Sequence, residues 1–182
     1  MTRIVGVAGS LRKGSLNAAL LRAAVDLAPD GTRVEIGDIG EIPLYNGDVE
    51  AESGIPAAVT TLKDQLAAAD GILIVTPEYN GSMPGVLKNA TDWLSRPTED
   101  IARVFGDKPV ALMGATMGGL GTIRAQQAWL PILKAFRMRP WFAQDMLVSR
   151  AHQLFDEDGQ LTDEPTRAKL ERFMQAFVEF IG

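Results

Sequence analysis

Residues Gly71–Pro97 read GILIVTPEYNGSMPGVLKNATDWLSRP. The first five, Gly71–Val75, are apolar without alternation, the pattern of a strand covered on both faces. Pro77-Glu78-Tyr79-Asn80-Gly81 then breaks the run with a polar, aromatic segment ending in the turn dipeptide Asn-Gly. From Val86 to Ser95 the spacing predicts a helix, with Pro84 in its first turn and Pro97 beyond its end. The unit is therefore strand–loop–helix, with an elaborate loop at the carboxyl end of a buried strand. In open parallel sheets ligands bind at that end.

The same alternation extends in both directions. Arg3–Gly9 reads as a central strand, Leu16–Leu27 as a helix closed by Pro29 and Gly31, and Val34–Ile36 as a short strand. Gly37–Pro56 has no strong period, and a helix follows with Val59, Leu62, Leu66 and Ala69 on one stripe. After Pro97 come a strand at Pro109–Ala115, a permissive turn at Thr116–Gly121 and a helix at Ala125–Phe136 that Pro131 is expected to bend or interrupt. An irregular fifth strand is expected at Trp141–Val148. The last helix is capped by Thr162 or Asp163, carries Pro165 in its first turn, and buries Leu170, Phe173, Met174, Phe177 and Ile181. Such alternation predicts an α/β fold with helices on both faces of a parallel sheet. Right-handed crossovers favour a flavodoxin-like, doubly wound, five-stranded sheet of order 2-1-3-4-5, in one domain spanning residues 1–182.

Composition narrows the chemistry. A net charge of −5 over 182 residues provides no basic surface for nucleic acid. No apolar run approaches the ~20 residues of a membrane span, and Met1–Val7 passes straight into a strand pattern, so the expected location is the cytoplasm. The absence of Cys removes thiolate nucleophiles and metal–thiolate sites. The single His, His152, lies beside Arg150 in a polar connection and reads as a surface residue. No metal site and no side-chain catalyst are expected, so any difficult chemistry falls to an organic cofactor.

Gly9-Ser-Leu-Arg-Lys-Gly-Ser-Leu-Asn17 follows the first strand and opens a helix, where backbone N–H groups and the helix dipole attract phosphate. Ser10, Ser15 and Asn17 add hydrogen-bonding groups and Arg12 adds a charge. Gly9 and Gly14 have the Walker spacing, but Ser15-Leu16 stands where Lys-Ser or Lys-Thr is required, and Gly6-Val-Ala-Gly9 misses the dinucleotide fingerprint. A pocket for one monophosphate remains. In a 2-1-3-4-5 sheet this loop and Pro77–Gly81 flank the switch point and face each other across one crevice.

Two strings in this order resemble the NADPH-dependent FMN reductase family: Gly9–Asn17 matches its G-S-L-R-x-x-S-x-N loop, and Pro77–Trp93 matches P-E-Y-N-G-S-x-P-G-x-L-K-N-x-x-D-W. The resemblance implies bound FMN. Its phosphate is assigned to Ser10, Arg12, Ser15 and Asn17, with Leu16 beside them. Its isoalloxazine is assigned to Pro77, Glu78, Tyr79, Asn80 and Gly81, and Thr116 stands where the family usually has Ser. Glu78 is expected to act mainly through its backbone. The implied activity is hydride transfer from NADPH or NADH through FMN to a quinone, azo compound, flavin or oxidised metal ion by a ping-pong mechanism. A flavodoxin-type electron carrier and a non-catalytic flavin sensor are the alternatives. Arg12, Lys13, Arg96 and Arg103 are the candidate contacts for an NADPH 2′-phosphate. The family's dimers and tetramers imply a homo-oligomer, expected to use an apolar face of the helix after Ser82 that includes Val86, Ala90 and Trp93.

Overall fold

Apolar runs with no polar alternation require cover on both faces, and a computed structural model describing Met1–Gly182 places them side by side in one parallel sheet. Strands β1 (Thr2–Ala8), β2 (Thr32–Gly37), β3 (Gly71–Val75), β4 (Pro109–Ala115) and β5 (Arg139–Pro140) follow the order β2-β1-β3-β4-β5. The expected fifth strand is split. β5 pairs with Pro109 and Val110, whereas β6 (Met146–Val148) pairs with Met113–Ala115 further along β4. Between them the chain leaves the ladder after Trp141, whose indole packs inward with its ring centroid 5.0 Å from that of Phe173.

Alternate residues of each strand feed opposite layers. Ile4, Leu73, Ala111 and Met113 join α1 (Leu16–Asp26) and α7 (Glu164–Ile181) through Leu20, Leu21, Phe173 and Phe177. Val5, Ile72, Ile74 and Leu112 join α3 (Ala57–Ala68), α4 (Gly85–Leu94) and α6 (Ile123–Ala135) through Leu62, Leu66, Trp93 and Trp129. Each large aliphatic buried this way contributes roughly 1.5–3 kcal/mol. Asp163 caps α7 by accepting from the Thr166 N–H at 3.0 Å, and Pro165 lies in its first turn, as its sequence predicts. Pro131 does not break α6, because buried Trp129 and Leu133 flank it and hold that face to the sheet.

Two short helical segments depart from the expected pattern. The connection after β2 contains α2 (Gly47–Ser53), capped by Asn46 but burying none of its residues. A 3-10 turn at Thr98–Asp100 leads into α5 (Ile101–Val104). Pro84 is the extended residue before α4, not part of its first turn. The expected outward stripe on α4 also turns inward. Trp93 is fully buried, donates from Nε1 to the Pro43 carbonyl at 2.9 Å, and meets the Tyr45 ring edge-on; Ala90 is buried beside it, leaving only Val86 exposed.

The strap Ile42–Ser53 is fastened chiefly by polar groups. Asn89 receives the Tyr45 N–H and donates to the Pro43 carbonyl, each at 2.8 Å. Glu50 accepts from Tyr45 Oη and from Arg96 Nε, each at 2.9 Å. The Arg96 hydrogen bond holds the Glu50 carboxyl below the ordinary carboxylate range. Asp100 is lowered in the same way by Lys63 and Arg103. A carboxylate whose folded pKa is depressed stabilises the fold fully above its unfolded pKa, and that contribution disappears as pH falls through the folded value. The melting temperature should therefore be nearly flat down to about pH 5 and decline below about pH 4. Glu50→Gln should flatten part of that decline; an acid profile superimposable on the parent's would show that this ion pair does not hold the strap.

Candidate functional site

Parallel pairing aligns the ends of β1 and β3, with Ala8 opposite Val75, so the loops after them emerge together. The first loop passes into α1. Ser15 caps that helix, its Oγ accepting from the Ala18 N–H at 3.2 Å while its own hydroxyl hydrogen stays free to donate. The N–H groups of Leu16 and Asn17 open an 11-residue helix and have no acceptor within it. Arg12 is exposed and takes part in none of the chain's ion pairs.

The Asn17 side chain has a different task from the phosphate contact expected of it. Buried beneath the loop, its Nδ2 donates to the Ala115 carbonyl at 2.8 Å and its Oδ1 accepts the Ala115 N–H at 2.9 Å. This pair ties the start of α1 to the end of β4. The group that Asn17 leaves for an anion is its backbone N–H.

The second loop is a two-residue hairpin. Tyr79 and Ser82 exchange backbone hydrogen bonds of 3.0 and 3.1 Å, and Asn80 and Gly81 both have positive φ, 52° and 74°. That is the type I′ geometry for which Asn-Gly is the preferred sequence. The turn presents Tyr79 at the rim, 43% exposed, with its Oη 3.4 Å from Ser10 Oγ across the crevice.

Glu78 explains how the second loop is joined to the third, which runs from Thr116 at the end of β4 to Thr122 before α6. Thr122 occupies the N-cap position of α6 but sits at φ 67°, fully buried, and makes no capping hydrogen bond. Its Oγ1 is wedged against Gly114, where a Cβ would lie 2.1 Å away. The missing cap comes from 46 residues upstream: Glu78 Oε2 accepts the N–H groups of Arg124 and Ala125 at 3.0 and 3.3 Å. A carboxylate at a helix N-terminus is also favoured by the dipole. The carboxylate from the neighbouring loop supplies the cap that strained Thr122 does not, and so fixes the α6 start against the second loop.

Between the loops lies a cleft of about 440 Å³. Ser10, Arg12, Leu16, Asn17, Pro77, Glu78, Tyr79 and Thr116 line it together. Ser15 lies beneath the loop as the cap, and Asn80 and Gly81 form the turn at the rim. Ala115 and Met117 also line the cleft, and Arg124 lies over the turn, its Cδ 3.7 Å from where a Gly81 side chain would begin. None of these three carries a motif; only the pairing of β4 brings the first two here. Arg96 and Arg103 are spent on Glu50 and on Asp64 and Asp100, which leaves Arg12 and Lys13 as the unpaired cations among the four candidates. His152 is exposed and lies outside the cleft. With free N–H groups and a cation at one end and an aromatic-rimmed turn at the other, the cleft suits a phosphate joined to a flat, polar-edged ring system.

Removing either brace should be measurable without any ligand. Asn17→Ala strips both partners from a buried peptide group and should cost roughly 1–3 kcal/mol for each group left unpaired. Glu78→Ala should cost about 0.5–2 kcal/mol, the range for losing an N-cap, and Glu78→Gln less, because an acceptor oxygen remains. Urea unfolding curves that match the parent's for both alanine variants would show that neither brace bears on stability.

Residues 2–153 match the NADPH-dependent FMN reductase family. The chain is 44% identical over 174 residues to an NAD(P)H-dependent FMN reductase of Pseudomonas aeruginosa, covering 96% of this chain and 92% of that one. It is 38% identical over 179 residues to a 2-hydroxy-1,4-benzoquinone reductase of a Burkholderia species, covering 98% and 96%. Among solved structures it superposes on the FerB flavoenzyme NAD(P)H:(acceptor) oxidoreductase of Paracoccus denitrificans with a TM-score of 0.88 and 34% identity, covering 100% of this chain and 97% of that one. Family, fold and site agree: this chain is an oxidoreductase belonging to the NADPH-dependent FMN reductase family.

Proposed function

We propose that residues 1–182 act as one FMN-binding domain that reduces quinones at the expense of NAD(P)H by a ping-pong mechanism. FMN held here would supply the redox chemistry that links the nicotinamide donor to the acceptor. The Ser10–Asn17 loop fits its phosphate: Leu16 and Asn17 offer N–H groups, Ser10 and Ser15 hydroxyls, and Arg12 an unpaired charge. At the other end Pro77, Tyr79, Asn80 and Gly81 form a rim against which the ring can lie, and Thr116 adds a hydroxyl across the cleft. Quinones are favoured as acceptors by the named activities of relatives in Burkholderia and Escherichia coli. Azo compounds, free flavins and oxidised metal ions are the other acceptors proposed.

The observation that carries the mechanism is the engagement of Glu78. It is the one carboxylate lining the cleft, and its Oε2 is held by two backbone N–H groups. A group fixed as a helix cap serves to position the loops and is poorly placed to shuttle protons. With no acid or base to arrange, donor and acceptor can use one open ring face in turn.

Replacing Arg12 by Ala should weaken FMN by about 1.5–3 kcal/mol, the scale of a charge-assisted hydrogen bond. Unchanged affinity on titrating flavin-free protein would place the phosphate elsewhere. Initial rates at varied NADPH and quinone should give parallel double-reciprocal lines. Glu78→Gln should lose far less than the ~10²–10⁴-fold that removal of a general acid or base costs. Intersecting lines together with an inactive Glu78→Gln enzyme would overturn the mechanism.

The working unit is proposed to be a homodimer or homotetramer in the cytoplasm. The α4 stripe is buried within its own chain, so support comes instead from the strap, where Leu44 is 83% and Val49 41% exposed, and from Val86, which stays exposed on α4. No helix is long and apolar enough to cross a membrane, so these side chains do not mark a helical span. Light scattering at micromolar concentration should give at least twice the chain mass, and Leu44→Asp combined with Val86→Asp should reduce it. A monomer mass for the parent protein would defeat the proposal.

A further inference from the structure

A second chamber, of about 340 Å³, opens on the far side of the phosphate loop. Lys13, Arg22 and His152 line it, together with Phe155 and the acidic turn Asp156–Asp158. It shares Arg12, Leu16 and Met117 with the flavin cleft, but none of Pro77, Glu78 and Tyr79. The two spaces therefore meet at the phosphate end of the cleft and not at its ring end.

The chamber is charged, yet its charges do not cancel one another. None of Arg12, Lys13, Arg22, Asp156, Glu157 and Asp158 takes part in an ion pair. Asp156 instead accepts the N–H groups of Asp158 and Gln160 at 3.0 and 2.8 Å, and Gly159 closes the turn back onto the Asp156 carbonyl at 3.0 Å. Arg22 packs against this turn, because a side chain at Gly159 would begin 2.8 Å from its Nη2. Arg22 thus reaches the acidic turn without forming an ion pair, and the chamber beside it is of a size that suits a small-molecule site.

We propose that this chamber receives an adenosine phosphate bonded to the flavin's own phosphate, so that the protein binds FAD as well as FMN. The inference rests on the phosphate seat proposed above. A flavin with its ring at Tyr79 and its phosphate at Arg12 directs anything attached to that phosphate past Arg12 and towards Lys13 and Arg22. A second phosphate meets those cations. The ribose hydroxyls and the exocyclic amine of adenine meet Glu157 and Asp158, and Phe155 supplies an apolar surface for the base. NADP(H) carries a similar adenosine diphosphate, but its reactive ring must reach the opposite end of the cleft, so contiguity at the phosphate end favours the flavin dinucleotide.

The test is fluorescence titration of flavin-free, full-length protein with FMN and with FAD, and of FMN-loaded protein with NADP⁺. FAD should bind at least as tightly as FMN. Arg22→Ala should weaken FAD about tenfold, the order expected for one charge-assisted contact, while leaving FMN within about twofold. Arg22→Glu should weaken FAD further and still fold, since Arg22 is exposed on α1. The FMN arm tests the phosphate seat, and the difference between the FAD and FMN arms tests the extension, so the two readings fail separately. FAD binding tenfold or more weaker than FMN, or Arg22→Ala shifting both flavins equally or neither, would overturn the proposal. A loss confined to NADP⁺ would overturn it too, and would assign the chamber to the nicotinamide dinucleotide.

Discussion

One buried amide decides whether the ligand-binding end of this sheet holds together. The two hydrogen bonds between Asn17 and the peptide groups of Ala115 join residues 98 apart in sequence. A parallel sheet leaves its strand ends without lateral partners where the loops depart, and an unpaired peptide group buried there is costly. Asn17 satisfies the donor and the acceptor of Ala115 at once, and in doing so orients the first turn of α1 towards the cleft. The free N–H groups of Leu16 and Asn17 then face the site because the helix that bears them is clamped to β4.

Glu78 performs the same service for the other two loops. It turns an acidic residue of the second loop into the cap of α6, and so fixes Arg124 and the third loop relative to the hairpin. A flavin site needs geometry more than reactive side chains, since the cofactor carries the electrons and the protein positions it. The polar residues at this rim fit that division of work. Ser15 caps, Asn17 clamps and Glu78 caps at a distance, and each leaves part of its hydrogen-bonding capacity or its backbone for a ligand.

The central strands were legible because their physics is local. Gly71–Val75 and Pro109–Ala115 are bounded as their apolar runs suggest, and the strand order follows from handedness once strand and helix alternate. The edge was harder. Arg139–Pro140 and Met146–Val148 are separated because Trp141 turns into the core beside Phe173, a tertiary choice that periodicity does not register. α2 buries nothing and so left no apolar stripe, although Asn46 with Asp48 and Glu50 is a readable helix start. At the site, the residue types of both motifs could be read directly. Their division between ligand contact and bracing could not, because Ala115 and Arg124 become partners only through the fold. The α4 stripe misled for a related reason: Trp93 is covered by its own strap, and apolar periodicity does not say which chain provides the cover.

The claim on which the account turns is that the clamped α1 N-terminus holds the flavin phosphate while the Tyr79–Ser82 hairpin holds the ring. A crystal structure of the FMN complex tests it most directly. Phosphate oxygens should lie within about 3 Å of the Leu16 and Asn17 nitrogens, the distance of an N–H···O bond, with the isoalloxazine along Tyr79, Asn80 and Gly81. A phosphate bound away from Ser10–Asn17, or an Asn17 side chain that leaves Ala115 to reach it, would contradict the account.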